Sequence, residues 1–98
     1  MRFEWNEDKR AINFKKHGID FPLAAKVFLD ADRIERIDHR KDYGETRYQT
    51  IGRAKRMILF IVYTRRGDDL FRLISARRAN KNEQKAYLYY QRPAERQN

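Results

Sequence analysis

The run MILFIVYT (Met57–Thr64) restricts the possible folds more than any other stretch of the chain. It is apolar at odd and even positions alike. Successive side chains of a strand point to opposite faces, so this run is expected of a central strand covered on both faces. It is far too short to cross a bilayer, which takes about 20 apolar residues.

The neighbouring segments read outward from that strand. RRGDD (Arg65–Asp69) is a hairpin turn, and Leu70–Ala76 is the next strand. Thr46–Gly52 reads as a strand joined to the central one by RAKR. DYGE (Asp42–Glu45) carries turn chemistry, and Ile34 and Ile37 mark a short charged strand. Near the start, Arg2–Trp5 alternates as a short strand. Asn6 then caps a helix from Glu7 to about His17, with Glu7 and Asp8 at its positive end. Ala11, Ile12 and Phe14 form its apolar stripe, and Gly18 stops it.

Asp20 caps a second helix, with Pro22 in its first turn. Phe21, Ala24, Ala25 and Phe28 form its buried face. Asn80 and Glu83 make a capping box for a third helix to about Gln91, with Ala86, Tyr87 and Tyr90 on one face. Pro93 ends the ordered part, and residues 93–98 are expected to fray. The expected order is β-α-α-β-β-β-β-α in a single domain, 1–98. It predicts an α+β fold: an antiparallel sheet with two N-terminal helices and one C-terminal helix on one face. The other face, or a sheet end, is left for a partner.

Charge points to the partner. The chain carries 23 Lys and Arg against 14 Asp and Glu, a net +9. Residues 1–50 hold 11 cations and 10 acids, whereas residues 51–98 hold 12 and 4. Nine of those 12 are arginine, whose planar fork pairs bidentately with phosphate. A nucleic acid is the first expectation, and a solvated basic face or an acidic protein partner would satisfy the same charges. With no cysteine, disulfides and thiolate metal sites are excluded, and the cytoplasm is the natural compartment. MRFEWNEDKR lacks the apolar region of a signal peptide.

Few residues suit chemistry. His17 and His39 have no metal-ligand spacing, the four glycines are scattered, and no nucleophile motif occurs. Neither a metal nor a cofactor is expected. What remains is a polar set near sheet ends. RNA cleavage without a metal needs a base for the ribose 2′-OH, fixed cations for the phosphate and an acid for the leaving oxygen. Glu45 suits the base, Arg47 and Arg77 the phosphate, and His17 or a tyrosine the acid. Arg53, Arg65, Arg78 and Tyr87 are candidates for contact with RNA or a protein partner. Each has a plainer reading: Glu45–Arg47 as a surface pair, His17 as a helix-end charge, Tyr87 as core.

The blocks FEWNEDKRAINFKKHGIDF, AAKVFLD, DYGETRYQTIGR and ILFIVYTRRGDDLFRLISARRANKNEQKAY, in that order, resemble the BrnT family over about residues 3–90. The resemblance implies a toxin of a type II toxin–antitoxin module, a RelE-like ribonuclease fold and translation blocked by RNA cleavage. It also implies a BrnA-like antitoxin with a ribbon-helix-helix DNA-binding domain, joined in a heterotetramer through the antitoxin dimer. Operator DNA would then be met only through that antitoxin. The matching positions are His17 in K-H-G, Glu45 and Arg47 in G-E-x-R, and Arg77 and Arg78 in S-A-R-R. The alternative is a non-catalytic nucleic-acid-binding or corepressor module.

Overall fold

The computed structural model describes residues 1–91, so the tail expected to fray lies outside the described residues. The order is β1 (Arg2–Glu4), α1 (Glu7–His17), α2 (Phe21–Ala24), a 3₁₀ segment (Ala25–Leu29), β2 (Ile34–Ile37), β3 (Tyr48–Ala54), β4 (Met57–Arg65), β5 (Leu70–Arg78) and α3 (Lys81–Tyr90). The strands form one sheet ordered β1-β5-β4-β3-β2.

The MILFIVYT strand is β4, at the centre. Leu59, Ile61 and Tyr63 enter a core with Phe21, Ala24, Val27 and Phe28 on the first face. Phe60 and Val62 enter a second core with Ile51, Ala79 and Tyr87 on the other. Helices therefore cover both faces, and not one as expected, because α3 crosses to the second. The sheet is mixed and not wholly antiparallel: β1 pairs with β5 in parallel. Hairpins force antiparallel pairing on sequence neighbours, but β1 lies far from β5 in sequence and no short turn sets its direction.

Three boundaries differ from expectation. β3 starts at Tyr48, so Glu45 and Arg47 belong to the loop before it. That loop is closed at its base by Asp38 N–H donating to Arg47 O at 2.7 Å. β5 runs on through Arg77 and Arg78, which pair with Phe60 and Leu59. The second helix is a single α turn that tightens into the 3₁₀ segment. Its close packing depends on Gly52, where an added Cβ would lie 2.7 Å from Val27 Cγ1.

α1 does not bury its apolar residues: Ile12 is 65% and Phe14 54% exposed. Its buried residue is Asn13. The Asn13 amide donates to Ala76 O and Ile19 O at 2.9 Å and accepts Ala76 N–H at 3.0 Å. β1 is too short to flank all of β5, and Asn13 satisfies the backbone of Ala76 beyond its end. On α3 only Tyr87 is buried, while Tyr90 stays exposed.

Candidate functional site

The second face carries a connected row of arginines. It begins in the loop, where Arg47 Nε donates to Glu45 at 3.2 Å and its guanidinium lies 4.1 Å over the Tyr43 ring. Tyr43 donates its hydroxyl to Asp38 at 3.4 Å. Asp38 is also gripped by Arg40, through Nε at 2.9 Å and Nη2 at 2.8 Å. Arg40 and Arg77 then share one ring, 6.0 and 4.1 Å from the centroid of Phe60. Arg77 closes on Glu83 of α3 with two hydrogen bonds, at 2.8 and 2.9 Å. Arg36 donates its Nε–H to Gln49 at 2.7 Å. The fold thus holds cations in place by acids and aromatic faces, and fixed cations beside aromatic rings are chemically suited to a polyanion.

The charge states follow from these partners. Hydrogen bonds from Arg40 hold the Asp38 carboxyl down to about 2. Burial pushes Glu83 up, but the Arg77 and Asn80 hydrogen bonds outweigh it and keep the carboxyl below its ordinary range. Burial lowers His17, and the charges of Lys16 and Arg77 lower it further, which favours the neutral imidazole. Tyr87 is pushed up to about 12, first by burial and then by donating its hydroxyl to Asp30 at 2.7 Å.

Glu45, Arg47 and Arg77 therefore lie on one row, but at different points of it. Arg77 pairs with Phe60, while Arg47 lies beyond the Tyr48–Tyr63 pair and two strands away. At about 3.3 Å per residue and 4.8 Å per strand, the two cannot clasp the same phosphate from where they stand. Glu45 is flanked by Arg66 as well, Nη2 at 3.5 Å. His17 ends α1 within electrostatic reach of Arg77 and away from Glu45.

The contact candidates divide. Arg78 is exposed at the end of β5. Arg53 lies 5.8 Å over the Tyr87 ring. Arg65 pairs with Glu35 at 3.6 Å and covers Tyr48 and Phe71 at the edge of the first core. Tyr87 is only 1% exposed, so its ring packs the second core and offers no surface to RNA or antitoxin.

Sequence reading missed Arg36, Arg40 and Tyr43. Arg36 and Gln49 share a face by strand parity, a usable signal, but the near-neutral balance of residues 1–50 concealed both arginines. Among the described residues, no three His, Asp or Glu side chains converge as metal ligands, and no helix is long and apolar enough to cross a membrane.

A family model described as the ribonuclease toxin BrnT of type II toxin–antitoxin systems matches residues 5–83. Among solved structures, the chain is similar to the 1.1 Å crystal structure of the Brucella abortus ribonuclease toxin BrnT. The TM-score is 0.62 and the identity 29%, over 83% of this chain and 99% of that one. No curated protein matches the chain.

Proposed function

The chain belongs to the BrnT family of type II toxin–antitoxin toxins, and on that premise we propose that it cuts RNA on the arginine row of its second face without a metal ion. The observation that carries this reading is the unbroken series of contacts from Glu45 through Arg47, Tyr43, Asp38, Arg40 and Phe60 to Arg77. It offers a line of guanidinium groups to phosphates, with Glu45 at one end and Glu83 closing on Arg77 at the other. The mixed sheet with helices on both faces is compatible with a RelE-like ribonuclease scaffold.

The scissile phosphate sits at the Glu45 end. Glu45 takes the 2′-OH proton as that oxygen attacks phosphorus. Arg47 and Arg66 offset the charge that builds on the phosphate oxygens. Tyr43, with its ring under the Arg47 guanidinium, gives a proton to the leaving 5′ oxygen. The P–O5′ bond breaks, leaving a 2′,3′-cyclic phosphate and a 5′-hydroxyl. Arg40 and Arg77 hold neighbouring phosphates. His17 lies within electrostatic reach of Arg77 and is assigned to the RNA path, away from proton transfer.

The antitoxin is a BrnA-like ribbon-helix-helix protein that covers the row, in a heterotetramer built on the antitoxin dimer, and it alone touches operator DNA. The toxin acts in the cytoplasm on mRNA. Inducing the chain should shorten transcripts and stop growth, and co-expressing the antitoxin should restore both. Growth arrest with intact RNA would instead favour a non-catalytic binding module.

A further inference from the structure

A cleft of about 510 Å³ opens on the second face between β2, β3 and the last turn of α3. Ile34 and Ile51 form its apolar floor, Tyr90 contributes an aromatic wall, and Arg36 and Gln49 line it with donors. Gln49 is only 5% exposed. Its Oε1 accepts the Arg36 Nε–H. Arginine can only donate, so this bond fixes which way the amide points. The Gln49 Nε2 hydrogens have no acceptor among the described residues, and neither do the terminal nitrogens of Arg36. Gln49 lines the cleft, and no fully buried side-chain polar atom among the described residues lacks a partner, which is consistent with Nε2 opening on the cleft. Ile51 of the floor pairs with Phe60, whose ring carries the Arg77 guanidinium, so the cleft and Arg77 flank the same β4 residue on this face.

We propose that this cleft is a nucleobase subsite, selective for guanine, in the RNA bound along the arginine row. The proposal rests on the RNA-cleaving function above. An apolar floor with an aromatic wall suits a planar base. Two neighbouring donors, Gln49 Nε2 and Arg36 Nη, match the adjacent O6 and N7 acceptors of guanine. Adenine presents a donor at N6 in place of O6, and a pyrimidine has no N7. An extended peptide suits the cleft less well because it brings N–H groups that need acceptors. The Glu35 carboxylate, the one acid among the described lining residues, is already taken by Tyr63, Arg33 and Arg65.

The test is an NMR titration of the isotope-labelled full chain with 5′-GMP, AMP, UMP and CMP, with inorganic phosphate as the control. GMP should shift the Gln49 side-chain amide and the Tyr90 ring and bind roughly tenfold tighter than AMP. Phosphate should move neither group. Gln49→Glu should abolish the preference for GMP. Tyr90→Ala, at an exposed position that leaves the core untouched, should weaken all four nucleotides together. Equal shifts from all four, or shifts matched by phosphate alone, would overturn the subsite. So would Gln49 and Tyr90 signals that ignore GMP and move only with antitoxin, which would assign the cleft to the protein partner. RNA cleavage by a chain whose cleft ignores GMP would leave the nuclease function standing. GMP binding without RNA cleavage would remove the nuclease function and keep the subsite.

Discussion

Arg77 and Glu83 are joined by two hydrogen bonds at 2.8 and 2.9 Å, and Glu83 also accepts the Asn80 N–H at the start of α3. One carboxylate thus caps a helix and neutralises the strand arginine that faces it. A phosphate that reaches Arg77 competes with Glu83. Glu83→Gln should keep the cap, since Gln serves in a capping box, and release the charge. RNA should bind the variant more tightly, with a salt dependence steeper by about one phosphate contact. Binding at several salt concentrations checks this, and an unchanged slope would remove Arg77 from the RNA path.

Arg77→Ala should abolish toxicity. It also leaves the largely buried Glu83 carboxylate without its guanidinium, at a cost of about 1–3 kcal/mol in stability. Urea unfolding of the single variant and of Arg77→Ala with Glu83→Gln separates the two effects. The double variant should recover stability and stay non-toxic. A folded, fully toxic variant would contradict the role.

Glu45→Gln should slow RNA cleavage by roughly 10²–10⁴-fold, the usual contribution of a positioned general base. The Glu45–Arg47 pair is partly exposed, so stability should change by less than about 1 kcal/mol. Single-turnover cleavage alongside thermal melting decides it. A variant that cuts at the wild-type rate would dismiss Glu45.

Asp38 gives the loop an acid limit. Its folded carboxyl is held down to about 2, below its ordinary 3.8. The stability it contributes is present above the unfolded value and is lost as pH falls through 3.8 towards 2. The expected loss is about 2 kcal/mol. Unfolding measured from pH 5 to pH 2 should show it, and Asp38→Asn should flatten that part of the curve. An identical slope in the variant would mean the Arg40 clasp contributes nothing.

Much of the fold could be read from the chain because the signals were local. The two-sided apolar run located β4, and Asn6, Gly18, Asp20 and the Asn80–Glu83 box placed the helix ends. What escaped depends on distant contacts. The apolar stripe of α1 misled because the helix docks through the Asn13 amide, whose partner Ala76 is remote in sequence. Asn13→Ala should cost about 3 kcal/mol for that reason, and a loss under about 1 kcal/mol in urea would contradict the docking. The crossing of α3 to the second face was equally hidden: Tyr87 could be read as core, but not the side of the sheet on which it is buried. For the proposed site, Glu45, Arg47 and Arg77 could be named as candidates from residue type, but their separation along the row could not be read. Arg40 enters only because the 38–47 loop folds over Phe60.

Cleavage of a long mRNA by the purified chain, with and without excess EDTA and with the fragment ends identified, puts the arginine row itself to the test. Arginine is proposed to supply the charge stabilisation that metal ions supply in two-metal nucleases. Fragments with 2′,3′-cyclic phosphate and 5′-hydroxyl ends should appear at the same rate in chelator, and the rate should fall steeply with salt. Activity lost in EDTA and restored by Mg²⁺ would contradict the mechanism and the roles given to Glu45, Arg47 and Arg77.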